Sequence, residues 1–284
     1  MAAAQRMESM DDRLSKRNFD ALSRYIYDYS GIKMPITKIT MLEGRLRRRL
    51  RATGIGTLDA YCEYLFKQNG LATESTYLID AVTTNKTDFF REPKHFEYME
   101  QIGLPEMLAA GHKQLRFWSS ACSTGAEPYT LAMVLQEFAS ANREVDYRIL
   151  ATDLSTDVLE VAKRGVYPRD MIAPAVPKSM QQKYVMTARD RTRADVRISP
   201  RLRAKVGFAR LNLMDESYPV GDPMHMIFCR NVLIYFDKAT QAKVLTRLCD
   251  CLMTGGYLFV GHSESVTGIP LPVKQVANTV FRKV

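Results

Sequence analysis

Residues 117–133 read FWSSACSTGAEPYTLAM, and this stretch sets the fold class of the chain. An apolar run ends in small residues, and one glycine then precedes a glutamate, a proline and a helical pattern. Proline is common in the first turn of a helix, and glycine lets the backbone bend sharply or approach a ligand closely. The stretch therefore predicts a strand, a tight loop and a helix that begins near Glu127.

The same strand-to-helix alternation continues from about residue 113 to the C-terminus. It is typical of right-handed βαβ units, which build a mostly parallel sheet with helices on both faces. Residues 169–206 interrupt it with the strand-like pieces KYVMT and ADVRIS. We therefore predict an α/β fold, a Rossmann-like sheet with a small inserted antiparallel β-subdomain.

The N-terminal part has helical patterns instead, and we expect three short helices between residues 18 and 80. The predicted organisation is an all-helical domain over residues 1–80, a linker over 81–97 and the sheet domain over 98–284. One predicted helix, at about residues 40–52, contains a leucine stripe interleaved with five arginines. The leucines are expected to pack inward, so several arginines should face solvent together.

Composition narrows the class of protein further. The 284 residues are 46% hydrophobic, and no apolar run approaches the roughly 20 residues that a membrane helix needs. The N-terminus has no secretory signal, and the five cysteines form no CxxC or Cys/His cluster. We expect a cytoplasmic, monomeric protein without a metal site. The net charge of +9 indicates an acidic partner.

Polar side chains follow the predicted parallel strands where each strand ends. In open α/β sheets, ligands bind beyond the carboxyl ends of the strands. The residues at these ends, in chain order, are Ser123, Gly125 and Glu127, then Asp153, then Asn212, and finally Arg230 and Asn231.

These residue types suit a nucleoside. Asp153 can accept the two hydroxyls of a ribose, and Asn212 can hydrogen-bond to an adenine edge. The chain lacks the GxGxxG and Walker motifs, and Glu127 would repel a pyrophosphate. S-adenosylmethionine, a cationic nucleoside without phosphates, fits best. Each residue also has a simpler interpretation, because Glu127 can favour a helix N-terminus, Asp153 can cap a helix and Asn212 can occupy a turn.

Five stretches together resemble the chemotaxis receptor methyltransferases of the CheR family, in the family's order from about residue 18 to the end. They are TTNKTDFFREPKHF (83–96), STGAEPYTLAM (123–133), ATDLSTDVLEVAKRGVY (151–167), FCRNVLIYFD (228–237) and GHSES (261–265). The resemblance implies methyl transfer from S-adenosylmethionine to glutamate side chains on chemoreceptor cytoplasmic helices, with S-adenosylhomocysteine as the second product. It also supports the predicted domain organisation.

The resemblance adds site residues to those found from the strand ends. It implies that Arg91 and Tyr235 lie nearest the transferred methyl group. The full set of cofactor-binding residues that it implies is Asn85, Thr87, Arg91, Glu127, Asp153, Asn212, Leu213, Cys229, Arg230 and Asn231.

The basic helix has a partner under this resemblance, because receptor methylation regions are glutamate-rich helices. We expect Arg45, Arg48, Arg49 and Arg51 to dock the acidic receptor surface, although a merely solvated helix face has the same pattern. Some members of the family bind a receptor C-terminal pentapeptide through a glycine-containing loop. This chain has no glycine between Gly165 and Gly207, which disfavours that dependence.

Two other functions compete with this prediction. A nucleic-acid methyltransferase would carry an (N/D)PP(Y/F)-type motif after the fourth strand, and the chain has CRNVLIYFD there. We therefore expect no nucleic-acid partner and no membrane insertion. A non-catalytic adaptor that binds S-adenosylmethionine or S-adenosylhomocysteine in a receptor array is the alternative that the motifs leave open.

Overall fold

The computed structural model describes residues 12–188, 190, 192 and 194–284. The chain divides into two compact units, and the second runs from Asn85 to Val284. The first eleven residues of the predicted helical domain, and positions 189, 191 and 193 of the predicted insert, lie outside the described residues.

The first unit is helical. Its helices are α1 (Lys16–Ser30), α2 (Ile39–Thr53), α3 (Leu58–Lys67) and α4 (Leu71–Val82), and a 3₁₀ turn (Ile36–Lys38) precedes α2. The side chains of Ser15 and Thr57 accept backbone hydrogen bonds at the starts of α1 and α3. The predicted leucine stripe of α2 is confirmed, because Leu42, Leu46 and Leu50 are buried.

The prediction of three helices was wrong in number, because α4 is a fourth helix in the described part of this unit. The helix α3 ends at Lys67, and α4, with the sequence LATESTYLIDAV, begins directly after Gly70. Gly70 packs against the ring and carbonyl of Tyr64, where a Cβ atom would lie 2.7 Å from both. We predicted no further helix after this short turn.

We expected several arginines of α2 to face solvent together, and their exposure differs from one to the next. Arg49 forms two hydrogen bonds to the buried carboxylate of Glu74, at 3.0 and 2.8 Å, and Tyr61 donates a third at 2.9 Å. Arg45 donates to the carbonyls of Val82 and Thr83 at the end of α4, where cations are favourable. Arg48 and Arg51 are exposed.

The second unit contains ten strands among the described residues. They are β1 (Gln114–Ser119), β2 (Asp146–Asp153), β3 (Val166–Pro168), β4 (Val185–Thr187), β5 (Asp195–Ile198), β6 (Val206–Arg210), β7 (Met224–Cys229), β8 (Leu252–Val260), β9 (Val273–Ala277) and β10 (Val280–Lys283). Seven of them form one sheet in the order β6-β2-β1-β7-β8-β10-β9. The five strands from β6 to β8 are parallel, and the C-terminal hairpin β9–β10 adds two antiparallel strands beyond β8, with β9 at the edge.

Helices connect and cover these strands. They are α5 (Pro93–Tyr98), which a π-helical segment (Met99–Gly103) joins to α6 (Leu104–Ala109), then α7 (Ala126–Ala141), α8 (Thr156–Arg164), α9 (Arg169–Ile172), α10 (Lys178–Tyr184), α11 (Pro200–Arg203) and α12 (Lys238–Cys251). The strand order reverses between β1 and β7, so the switch point lies beside the loop that begins α7. The predicted Rossmann-like fold is confirmed.

The inserted subdomain is also present. Strands β3, β5 and β4 form an antiparallel sheet, with β5 in the centre. The sheet begins at Val166, three residues before the predicted insert, because β3 follows directly on the end of α8 at Gly165. No helix among the described residues is both long and apolar enough to cross a bilayer.

Candidate ligand site at the carboxyl edge of the sheet

The loop after β1 bends sharply before α7 begins. Ser123 and Gly125 both have positive φ, at 50° and 92°. A Cβ atom on Gly125 would lie 2.8 Å from the Cβ of Ala162 and 2.9 Å from the hydroxyl of Tyr167. Glycine is therefore required for the loop to pack against α8 and β3, in addition to any approach of a ligand.

Arg230 joins the loops after β1 and β7 in an ionic cluster. Its Nη1 donates to Glu127 at 2.9 Å and its Nη2 donates to Glu92 at 3.0 Å. The Arg230 side chain is only 2% exposed, and each carboxylate side chain is 12% exposed. These three residues, which we call the Arg230 cluster, contain two negative charges and one positive charge. One negative charge is thus left uncompensated in a largely dry environment.

The environment shifts the pKa values of the two carboxylates, Glu127 and Glu92, in opposite directions. Burial raises the pKa of Glu127, although Arg230 and the Ser119 hydroxyl, which donates at 2.7 Å, oppose the shift. Burial also acts on Glu92, but hydrogen bonds from Asn231 and Arg230 outweigh it and lower the pKa. Both groups retain the acceptor oxygens that a cationic ligand needs.

Asp153 links the first two loops of the sheet edge. Its Oδ2 accepts from the backbone N–H of Ser123 at 2.7 Å, and its Oδ1 accepts from that of Ser155 at 2.9 Å. The Ser123 hydroxyl in turn donates to the carbonyl of Asn85 at 2.8 Å. A carboxylate has about four lone-pair sites, so these bonds leave Asp153 able to accept ribose hydroxyls as well. The cap-like bond at Ser155 and the ligand interpretation are therefore compatible.

The loop after β6 holds Asn212 and Leu213. The Asn212 side-chain oxygen accepts from the backbone of Met214 at 3.0 Å, as the turn interpretation predicts, and Leu213 is buried. Cys229 ends β7 with a fully buried side chain, and burial raises the pKa of its thiol. Only the backbone of Cys229 is therefore suited to contact a ligand.

The remaining predicted residues lie on two segments of this edge. Asn85, Thr87 and Arg91 precede α5, and the carbonyl of Arg91 accepts from Arg230. The Arg91 guanidinium donates to the carbonyl of Lys86 at 3.2 Å. Tyr235 is half-buried in the 3₁₀ turn Leu233–Tyr235 that follows β7.

Sequence reasoning missed Glu264, which shapes the second of these segments. Its carboxylate is buried and accepts four backbone hydrogen bonds, from Gly261, Asn231, Leu233 and Ile234, at 2.6–3.3 Å. A Cβ atom on Gly261 would lie 2.6 Å from the Asn231 side chain. Within the GHSES motif, the carboxylate and the glycine therefore hold the loop.

Glu92, also missed, faces two imidazoles in addition to Arg230. Its Oε2 lies 3.6 Å from Nδ1 of His95 and 3.9 Å from Nε2 of His262. Burial, and after it the charge of Arg230, lowers the pKa of His95 to about 4, so this imidazole is neutral at pH 7. The signal that could have found Glu92 is its place in FFREP, between an implied site residue and the proline that starts α5.

The assembled site can hold a cationic nucleoside. The uncompensated charge of the Arg230 cluster favours an ammonium or sulfonium group, and Asp153 suits a ribose. The contributing loops follow strands β1, β2, β6, β7 and β8, and the segment before α5 joins them through the bonds of Arg91 and Glu92 to Arg230.

Comparison with known proteins agrees with this geometry. Residues 85–282 match the family model described as the CheR methyltransferase, SAM binding domain, and residues 17–83 match the CheR methyltransferase, all-alpha domain. A chemotaxis protein methyltransferase of Borreliella burgdorferi is 36% identical, over 92% of this chain and 92% of that protein. One of Escherichia coli is 37% identical, over 94% and 91%. One of Salmonella typhimurium is 36% identical, over 94% and 90%.

Proposed function

The chain belongs to the CheR methyltransferase family, and we propose that it methylates glutamate side chains on the cytoplasmic helices of chemoreceptors. S-adenosylmethionine supplies an electrophilic methyl group, and the products are a glutamate methyl ester and S-adenosylhomocysteine. The proposed place of action is the cytoplasm, as a monomer.

One observation carries the proposal, namely the excess negative charge of the Arg230 cluster beside Asp153. A pyrophosphate ligand would meet repulsion there, whereas a cationic nucleoside would be attracted. Glu127 and Glu92 are the proposed partners of the ligand's positive charge. Asp153 is the proposed partner of its ribose, and Asn212 of its adenine.

The acceptor needs no general base. A glutamate carboxylate has a pKa near ~4.3 and is ionised at pH 7. In the reaction, one carboxylate oxygen forms a bond to the methyl carbon while the carbon–sulfur bond breaks, and its electron pair stays on sulfur. Catalysis then consists of positioning the reactants and supplying suitable electrostatics.

Arg91 and Tyr235 are the proposed catalytic residues. Arg91 would orient the incoming carboxylate, and it must bind weakly because a tight ion pair would reduce the nucleophilicity of the oxygen. The Tyr235 hydroxyl would hydrogen-bond near the methyl group. We expect Arg91→Ala and Tyr235→Phe to lower turnover while S-adenosylhomocysteine still binds.

The proposed docking surface contains fewer arginines than the four that the sequence predicted. Arg48 and Arg51 are the exposed members of this set, and we propose that they contact the acidic receptor helices, whereas Arg49 is bonded to Glu74 and Arg45 to the end of α4.

The direct test is transfer of labelled methyl from S-adenosylmethionine to receptor-containing membranes, scored as base-labile methanol. Base lability reports a carboxyl ester and excludes methylation of nitrogen or carbon. If no methanol is released although S-adenosylhomocysteine binds the protein, the non-catalytic adaptor becomes the better account. If neither occurs, the ligand site itself is assigned wrongly.

A further inference from the structure

Three potential metal ligands converge on one side of the Arg230 cluster. Glu92 Oε2, His95 Nδ1 and His262 Nε2 all lie within 4.8 Å of one another, and they form the only such group of His, Cys, Asp or Glu side chains among the described residues. They come from α5, the residue before it and the loop after β8. Their separation in the sequence explains why no spacing motif indicated a metal site.

The hydrogen bonds of His95 fix which ring nitrogen is available. The Thr279 hydroxyl lies 2.8 Å from the carbonyl of Asn278 and 2.8 Å from Nε2 of His95, and the tautomer that satisfies all three groups has Nε2–H donating to the hydroxyl and the hydroxyl donating to the carbonyl. In a neutral imidazole, Nδ1 then holds a bare lone pair. The His95 side chain is 1% exposed, and Nδ1 has no hydrogen-bond partner. Nδ1 lies 3.6 Å from the Glu92 carboxylate oxygen Oε2, so two atoms that can bind a cation are close together in a buried position.

The geometry suits a small tetrahedral ion. Zinc bonds to imidazole nitrogen and carboxylate oxygen at about 2.0–2.2 Å, which places tetrahedral ligands about 3.4 Å apart. The observed separations are 3.6 and 3.9 Å from Glu92 Oε2 to the two imidazole nitrogens, and all three atoms lie within 4.8 Å of one another, so binding would draw the ligands together. The bond from His95 Nε2 to Thr279 is the kind of outer contact that orients a metal-bound histidine. His262 is 41% exposed, so an ion can enter from solvent.

Because the Arg230 cluster has one excess negative charge, it can accept one further cation, either Zn²⁺ or the positive group of the proposed nucleoside ligand. Glu92 Oε2 already accepts from Arg230 at 3.0 Å and from the backbone of His262 at 3.3 Å. A metal ion would replace the longer of these two contacts. We propose that Glu92, His95 and His262 form a Zn²⁺ site with two imidazoles and one carboxylate, with a water molecule as the fourth ligand.

The test is calorimetric titration of Zn²⁺ into the full chain without a histidine tag. A Cys251→Ser background removes the half-exposed thiol, which would bind zinc on its own. We expect one Zn²⁺ per chain. His262→Gln should weaken binding at least about 10–100-fold, the loss seen when even an outer contact of a metal ligand is removed. His112→Gln should leave the affinity unchanged, because His112 pairs with His225 elsewhere.

A second measurement uses Co²⁺ in the same proteins, since tetrahedral Co²⁺ has strong visible absorption bands. The bands should appear with the background protein and with His112→Gln, and disappear with His262→Gln. Equal Zn²⁺ affinity in both histidine variants, or no Zn²⁺ binding by the background protein, overturns the proposal. Because S-adenosylhomocysteine binding is measured in the same samples, failure of the zinc site is distinguishable from failure of the proposed function.

Discussion

The two compact units each bury an arginine against carboxylate, but the charge balance differs. Arg49 forms two hydrogen bonds to one carboxylate, Glu74, which Tyr61 also contacts, so this Arg49 cluster is neutral and saturated. Arg230 divides its donors between Glu127 and Glu92, and one negative charge remains. A balanced pair satisfies itself and stabilises a fold, whereas an unbalanced cluster retains affinity for a further cation. We propose that this difference separates a structural arginine from a ligand site.

The largest expected effect on the free energy of unfolding comes from removing the Arg230 guanidinium, which Glu127 and Glu92 share. Arg230→Met leaves two buried carboxylates unpaired, and we expect a loss of about 3–5 kcal/mol in the free energy of unfolding. Urea denaturation at pH 7 measures it. Arg230→Lys is the control, because lysine keeps the positive charge but lacks the several N–H donors of the guanidinium. It should lose less of the free energy of unfolding than Arg230→Met. A loss under about 1 kcal/mol for Arg230→Met would mean that the carboxylates do not depend on Arg230.

His225, a buried residue outside both clusters, shows how burial alters a pKa when no carboxylate is paired with the group. Burial, then Arg116 and His112, lowers the pKa of His225 to about 4. The unfolded chain therefore takes up this proton first as the pH falls from about 6.5, so stability decreases between pH 6.5 and 4. The total is about 3 kcal/mol, at 1.36 kcal/mol per pKa unit.

Urea denaturation at several pH values checks this contribution. His225→Gln should remove it, giving a shallower decline of stability over the same range. An unchanged pH profile in His225→Gln would show that other groups cause the acid sensitivity.

Glu264 supports the Arg230 cluster indirectly. It holds the loop that contains Asn231, and the Asn231 side chain donates to Glu92. Glu264→Gln turns an N–H₂ group toward backbone donors and should cost about 1–3 kcal/mol. We expect methyl transfer to fall roughly tenfold or more, and more than the affinity for S-adenosylhomocysteine, because the turn that holds Tyr235 is released. Steady-state kinetics and calorimetry separate the two effects. Glu100→Gln, at an exposed site, is the control, and an equal loss of rate and affinity would count against a positioning role.

The smallest effect on stability is expected at the exposed arginines of α2. Arg48→Glu combined with Arg51→Glu should change the free energy of unfolding by no more than about 0.5 kcal/mol and leave S-adenosylhomocysteine binding unchanged. Receptor methylation should nevertheless fall roughly tenfold at low salt, because attraction to the acidic receptor is reversed. The exposed Lys113→Glu, which changes the net charge by two units against four in the double variant, serves as the control for a charge reversal elsewhere on the surface. Normal methylation in the double variant would remove α2 from the docking surface.

Local patterns predicted much of this molecule. The alternation of strand and helix patterns predicted the parallel strands, and the pieces KYVMT and ADVRIS predicted the inserted sheet. Each of these patterns is contained within a few consecutive residues, so the sequence shows it directly. The pairing of Arg230 with Glu92 spans 138 residues, and no local pattern reports which charges fold together. For the same reason the sequence could not separate Arg49 from Arg48, since both occupy one arginine-rich helix and only the position of Glu74 distinguishes them.

The most direct test of the central claim is a calorimetric titration of S-adenosylhomocysteine into Arg230→Met and Arg49→Met, each at the temperature where it is fully folded. The account predicts that Arg49→Met binds with the affinity of the unaltered chain, and that Arg230→Met loses at least about tenfold, because only its cluster contacts the ligand. Equal affinities in the two variants would contradict the assignment of the unbalanced cluster as the ligand site.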